Sequence, residues 1–523
     1  MKYFVHSFII IFLSGQFKFI EAKISSSQTP NIIFILADDL GYGDVEILNE
    51  QSKIPTPHLN KLAQQGMVFT HAHAPSAVCT PTRYSILTGS YSWRSSKKSG
   101  VAWLWDPPII NKLEDYTLGD MLQSKGYHTA CIGKWHLGWQ WPTIKGDAPQ
   151  LDGRNIDYAK AITGGPTELG FNYYFGDDVP SFPPHAFIEN NKVTALPTEW
   201  WETGNAGAPG AMVPGWKYED LLPKISEKAI FYVKDRTINY PREPFFLFFS
   251  LSAPHTPIAP SKAFLGNSGA CKFGDFVVEI DHYLGELFDI LDQLGISDQT
   301  LVIFTSDNGP TNMDGKNYTG EVGSVLNYGH NSAGILRGLK SDSWEAGHRE
   351  PFIARWPGVI PEASKSNALI CLTDIFSTLA SIVGFDLNDS IGVDSFDIFP
   401  LLNGSASNIR EDLIVQSGNG ILSLIEGDWK LITSSGGGGM WAEKGNLATR
   451  DTLTGQWLNV QLYNLHEDPV EAHNIADAEV KRVNTMMHKL SNQIRNGRST
   501  VGIQQINQGE QVWETIKWIE SIP

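Results

Sequence analysis

Asn31-Ile32-Ile33-Phe34-Ile35-Leu36-Ala37-Asp38-Asp39 is an apolar run that stops abruptly at two carboxylates. An apolar run with no alternation is how a strand covered on both faces reads, and the chain repeats it. Residues 129–132, 245–251, 301–304 and 352–354 are further short apolar segments, each bounded by polar, Gly or Pro residues. Helical patterns lie between them. Residues 57–65 form one, with Thr56 as its N-cap, Leu59, Leu62 and Ala63 on one face, and Gly66 as the stop. Short buried strands alternating with helices predict an α/β fold: a large, mixed, mostly parallel sheet sandwiched by helices.

Beyond the sheet the pattern changes twice. Residues 180–215 are rich in Pro, Gly and Trp without a clear period, and read as long loops over one end of the sheet. From about residue 395 the units shorten: 413–416, 421–425 and 429–432 predict an antiparallel meander, followed by a Gly-rich loop at 436–439 and a closing helix at 477–494. The expected division is a larger N-terminal domain over 23–395 and a smaller C-terminal α+β domain over 396–523. At 523 residues and 41% hydrophobic content, two globular domains are the natural expectation.

Residues 1–22 read as a secretory signal peptide: Lys2, an apolar run around residues 8–13, and Ala22 ahead of a cleavage point. The run falls short of the ~20 residues that cross a bilayer, so no stable membrane span is expected. A secretory route implies a secreted, periplasmic or lysosomal protein, depending on the host. Cys79, Cys131, Cys271 and Cys371 are too scattered for a disulfide scaffold, and at most one bridge is expected. Asn317, Asn388 and Asn403 begin glycosylation sequons that matter if a eukaryote makes the chain. A formal net charge of -17 argues against nucleic acid as a partner and requires any attraction of an anionic substrate to be local.

The unusual polar residues follow the strands, where ligands bind in open α/β sheets. Asp38 and Asp39 follow 32–36, and Asp307 and Asn308 follow 301–304. Three carboxylates and an amide oxygen gathered at two strand ends are stable around a cation, and hard oxygen donors favour Ca²⁺ or Mg²⁺ over Zn²⁺ or Cu²⁺. Cys79-Thr80-Pro81-Thr82-Arg83 places proline in a first helical turn and Cys79 and Arg83 on one face, which is good material for an anion site. The pentapeptide alone fits a buried free cysteine beside a structural arginine equally well. Lys134 and His136 share a face if the strand at 129–132 continues, and together would orient and activate a nucleophile. His255 is flanked by Pro254 and Pro257, which fix the loop that carries it, and suits a general acid. Lys340 adds a second cationic side chain ahead of 352–354.

These segments in combination resemble the type I, formylglycine-dependent sulfatases of the alkaline-phosphatase-like superfamily, over nearly the whole mature chain. The likeness rests on Ala37-Asp38-Asp39, the Cys79–Arg83 signature, Gly133-Lys134-Trp135-His136, Ala253-Pro254-His255, Ser306-Asp307-Asn308-Gly309, residues 334–358, and an ending of Leu462-Tyr463-Asn464-Leu465 with Asp468-Pro469 and Asn474. The resemblance implies that Asp38, Asp39, Asp307, Asn308 and an oxidised Cys79 hold one metal ion, Ca²⁺ before Mg²⁺, and that Arg83, Lys134, His136, His255 and Lys340 surround a sulfate. It implies conversion of Cys79 to formylglycine (3-oxoalanine) by a formylglycine-generating enzyme. The hydrated aldehyde then attacks sulfur, His255 aided by Lys340 protonates the leaving oxygen, and His136 is the base for the final elimination.

One departure from the pattern concerns the substrate. Many relatives carry a serine or asparagine against the sulfate where this chain has Asp177, Asp178 and then Ser181. Trp103, Trp105, Trp139, Trp141, Trp200, Trp201 and Trp216 fall in loops, where most are expected to be packed anchors and one or two to line a carbohydrate cleft. The expected activity is removal of sulfate from a sulfated carbohydrate, with small aryl sulfates as artificial substrates. The rivals are a phosphomonoesterase or phosphodiesterase on the same scaffold and a non-catalytic secreted glycan-binding relative.

Overall fold

The computed structural model describes residues 29–202 and 207–522, so the expected leader at 1–22 lies outside the described residues. Ten strands form one sheet: β1 Asn31–Asp38, β2 Met67–Phe69, β3 His128–Gly133, β4 Tyr173–Gly176, β5 Ile188–Glu189, β6 Lys192–Val193, β7 Phe245–Pro254, β8 Thr300–Ser306, β9 Phe352–Arg355 and β10 Ser364–Ser366. Their order across the sheet is β10-β2-β9-β8-β1-β7-β3-β4-β5-β6. All five segments read as strands belong to it. The centre is parallel: β1 pairs with β7 and β8, β7 with β3, and β3 with β4. β9 runs antiparallel to β8, which makes the sheet mixed.

The register explains why β1 shows no alternation. Ile33 lies between Leu247 and Val302 in the sheet, and Phe34 between Phe248 and Ile303. Successive side chains face opposite sides, and both sides are dry. Ile32, Phe34 and Leu36 pack with α2 Cys79–Thr88, α3 Leu118–Ser124 and α6 Ile375–Val383. Ile33, Ile35 and Ala37 pack with α1 Pro57–Gln64, α4 Leu221–Asn239 and α5 Cys271–Gln293. Each fully buried aliphatic side chain contributes roughly 1.5–3 kcal/mol, so a strand buried on both faces anchors the molecule.

Local details correct several expectations. Thr56 precedes α1 but does not cap it with its side chain; its hydroxyl instead accepts from the Glu46 amide. Gly66 lies just beyond the Gln65 C-cap at a place with no room for a side chain, since a Cβ there would stand 2.1 Å from the Ala354 carbonyl oxygen. Residues 180–215 are not loop throughout. They contribute the β5–β6 hairpin at the sheet edge and a separate pair, Glu199–Trp201 with Gly210–Met212. The four cysteines are all free. Among the described residues no helix is long and apolar enough to cross a membrane.

The C-terminal meander is a four-stranded antiparallel sheet of β11 Asp412–Gln416, β12 Leu422–Glu426, β13 Trp429–Ile432 and β14 Gln461–Asn464. α7 Val480–Arg495 covers it through Val483, Met486, Met487, Leu490 and Ile494. That core also takes in Tyr91, Trp93, Leu369 and Cys371 from the larger part of the chain. A buried ionic joint adds to it: Lys430 on β13 is 0% exposed and pairs with Glu345 at 3.0 Å and Glu471 at 2.9 Å. Removing one partner strands the others without water. Lys430→Met is therefore expected to lower unfolding stability by about 3–5 kcal/mol in urea titration, and a loss below about 1 kcal/mol would show that the joint carries little of the stability.

Candidate active site

Because β1, β7, β3 and β8 are parallel, their carboxyl ends open on one side, and the site is assembled there. Pairing of Ala37 with Ser306 brings the residues that follow them together, and the Asp307 amide donates to the Ala37 carbonyl at 3.0 Å. A register shift at the end of β1 and a left-handed Asp39 (φ 65°) turn the two successive carboxylates into the same pocket. Asn308 Nδ2 donates to Asp39 Oδ1 at 2.7 Å, while its Oδ1 is buried and without a partner.

α2 begins at Cys79, with Val78 as its N-cap and no side-chain capping bond, so its first turn presents free amide donors. Cys79 Sγ lies 3.5 Å from Asp38 Oδ1 and 3.4 Å from Lys340 Nζ. One turn on, Arg83 donates through Nε to Asp307 Oδ2 at 2.9 Å and through Nη1 to the Ser250 hydroxyl at 2.5 Å. Lys340 sits in a loop held by its own amide to the Pro310 carbonyl at 2.8 Å, and its ammonium pairs with Asp39 Oδ1 at 2.6 Å.

Lys134 and His136 do not share a strand face. β3 stops at Gly133, whose φ of 113° and closeness to β7 exclude any side chain: a Cβ would fall 1.8 Å from the Ser250 carbonyl oxygen. The chain turns there and directs Lys134 Nζ onto Asp38 Oδ2 at 2.5 Å. His136 adopts a left-handed φ of 58°, and its Nε2 lies 3.1 Å from the Ala102 carbonyl. That carbonyl can only accept, so Nε2 carries the proton and Nδ1, buried and without a partner, keeps its lone pair. In His255 the roles are reversed: Nδ1 donates to the Thr256 carbonyl, and Nε2 stands 3.8 Å from Asp39 Oδ2. Burial, reinforced by Lys134, pushes His255 down to about 4 and His136 well below its usual range, so both rest neutral.

Three buried cations, Arg83, Lys134 and Lys340, face three buried carboxylates, Asp38, Asp39 and Asp307. Burial alone would raise Asp38, but Lys134 and Arg83 hold it far below the carboxylate range. Asp307 is pushed up to about 6 by burial and by Asp38. The Cys79 thiol is pushed up to about 12 by burial and Asp307, so the unmodified side chain stays protonated and a poor nucleophile at neutral pH. Ligating atoms of Asp38, Asp39, Cys79 and His255 all lie within 4.8 Å of one another. With Asn308 Oδ1 unpartnered among them, the residues fit a divalent cation bound mainly by hard oxygens. Such an ion would leave the pocket with a net positive charge.

The structure brings Asp38, Asp39, Cys79, Arg83, Lys134, His136, His255, Asp307, Asn308 and Lys340 to this one pocket. Asp307 faces Arg83 more than the carboxylate pair, since its Oδ2 is engaged by the guanidinium. Asp178 accepts from the His136 amide at 3.1 Å, and the Asp177 carboxylate is buried without a partner, pushed up to about 7 by burial; Ser181 offers its carbonyl to the Ala208 amide. Further supporting groups were not foreseen. Ser250, which holds Arg83, is a polar interruption of the apolar β7 and could have been noticed. Thr80 Oγ1 donates to the His136 carbonyl at 2.9 Å, and Glu350, both oxygens unpartnered, is held protonated by burial and by Asp307 and Asp39. Nothing in the sequence marks these two.

A sulfatase family model matches residues 30–385. The chain is 35% identical over 491 residues to an N-acetylgalactosamine-6-O-sulfatase of Bacteroides thetaiotaomicron, covering 86% of this chain and 90% of the relative. It is 29% identical to human arylsulfatase A, covering 94% of this chain and 93% of that protein. Among solved structures it resembles a Bacteroides thetaiotaomicron protein studied in the metabolism of multiple glycosaminoglycans, with a TM-score of 0.76, 32% identity, and coverage of 89% of this chain and 99% of the other. The chain is thus an enzyme, and it belongs to the sulfatase family.

Proposed function

We propose that this enzyme hydrolyses the sulfate ester of a carbohydrate, with Cys79 matured to formylglycine and one Ca²⁺, rather than Mg²⁺, held by Asp38, Asp39, Asp307, Asn308 and residue 79. The observation that carries the reading is the placement of Cys79 between a carboxylate pair with an orphan Asn308 oxygen and the ammonium of Lys340. A thiol held protonated is of little use there, whereas an oxygen nucleophile at the same atom position is well served. When present, the hydrated aldehyde and the ion together supply that nucleophile, polarised at neutral pH. Maturation requires a formylglycine-generating enzyme, in keeping with a secretory route.

The chain's own residues do the rest. Arg83, fixed by Asp307 and Ser250, and Lys134, fixed by Asp38, present cationic N–H groups to the sulfate oxygens. Their carboxylate partners keep them oriented before substrate arrives. His255 Nε2 has no proton in the resting tautomer, and the negative charge of a bound sulfate ester favours protonation there, placing an acid beside the leaving oxygen with Lys340 as its neighbour. His136 Nδ1 keeps a lone pair for the later proton removal. The names of relatives make 6-O-sulfated N-acetylgalactosamine the first substrate to test.

Mass spectrometry of the tryptic peptide ending at Arg83, from protein secreted by a host with the maturation machinery, is expected to show an aldehyde or its hydrate in place of the thiol. Unmodified cysteine in a preparation that turns over sulfate esters would overturn the nucleophile assignment. Cys79→Ala is expected to reduce turnover to background while leaving the fold intact by circular dichroism. Arg83→Lys keeps the charge but loses the planar fork, and should lower kcat/KM by about 10²–10³-fold in steady-state assays. Dialysis against a chelator should abolish activity and lower the thermal midpoint, with Ca²⁺ restoring both more fully than Mg²⁺; full activity in metal-stripped protein would refute the ion's role.

A further inference from the structure

We propose that Trp103, with the cavity beside it, forms a subsite for the sugar adjoining the one that carries the sulfate. The inference rests on the carbohydrate reading above and specifies where the rest of the glycan lies. Trp139 and Trp141 are buried at 1% and 3% exposure, whereas Trp103 is 55% exposed. An exposed indole is useful only if it is held still, and this one is fastened to the catalytic residues from two directions.

The first is the backbone. Ala102, immediately before Trp103, donates its amide to Thr80 Oγ1 at 3.0 Å, next to Cys79, and its carbonyl accepts from His136 Nε2 at 3.1 Å. Trp103 itself closes a turn, its amide donating to Asp106 Oδ2 at 2.9 Å and its carbonyl accepting from the Asp106 amide at 2.7 Å. Leu104 completes the bend in a left-handed conformation (φ 34°) that a leucine adopts only when its surroundings require it. The second is ring packing: Trp103 meets Phe182 edge to face at 4.8 Å between centroids, and Phe182 meets His136 at 6.0 Å. Two ring contacts thus connect the platform to a residue of the sulfate pocket.

The cavity of about 630 Å³ has Trp103, Leu104, Leu151 and Pro209 as apolar walls and Gln150 and Asp152 as polar ones. A pyranose has the complementary form, with a C–H face for the indole and hydroxyls at its rim for the amide and carboxylate. Among the described residues no lysine or arginine lines the cavity, so its occupant is an unsulfated sugar and not a second sulfate ester.

The test compares kcat/KM for 6-sulfated N-acetylgalactosamine with that for a disaccharide in which the same sulfated residue is linked to an unsulfated sugar, using matured, metal-loaded enzyme. Trp103→Ala should lower the disaccharide-to-monosaccharide ratio by about tenfold, through KM more than kcat, and Trp103→Phe should restore most of it. An unchanged ratio, whether both substrates or neither suffer, would overturn the subsite and leave the sulfatase reading intact. Wild-type enzyme that cleaves an aryl sulfate but neither sugar would overturn the carbohydrate reading and the subsite with it.

Discussion

Parallel pairing of β1 with β7 and β8 is the constraint from which the rest follows. It places the polar residues after each strand on one side of the sheet, so carboxylates that lie far apart in sequence meet within a few ångströms. Packed that closely in a dry environment, they would repel one another. The structure answers with Arg83, Lys134 and Lys340, each paired with at least one carboxylate. Such pairs offset their own desolvation only when geometry is good. The strict backbone turns at Gly133, Asp39 and His136 follow from that demand.

The same balance explains how a chain of formal net charge -17 can handle an anion. Global charge acts across solvent that salt screens within about 8 Å, whereas the pocket acts at contact distance in a poorly screened environment. Cations matched by carboxylates stay in place without substrate, and a divalent ion would shift the local sum to positive. Recognition then depends on preorganised donors more than on long-range attraction.

Much of this was legible in the sequence, for physical reasons. Strands buried on both faces must be continuously apolar, so β1, β3, β7, β8 and β9 stood out. Polar residues at their ends were conspicuous by contrast, which is how Asp38, Asp39, Asp307 and Asn308 drew attention. The resemblance to a known family added Cys79, Arg83 and the histidines as one set. What the sequence hid was set by packing and by backbone geometry. Lys134 and His136 part company because Gly133 has no room for a side chain, and Thr56 and Gly66 keep their places beside α1 for reasons other than capping. Ser250 and Thr80 act through contacts between distant segments that no local pattern records.

The buried joint at Lys430 reaches further than the small sheet that carries it. Glu345, its partner, lies two residues before Gly347, whose carbonyl accepts from the Gly309 amide at 3.0 Å, directly after Asn308. Gly309 is itself pressed against that segment, since a Cβ there would fall 1.7 Å from the Ala346 carbonyl oxygen. The support of the pocket therefore ends, in a mechanical sense, well beyond Asn308 in sequence. A survey of inactivating substitutions would mark residues of the C-terminal sheet as though they lined the pocket, and a chain shortened before residue 430 would lose the support that seats Asn308.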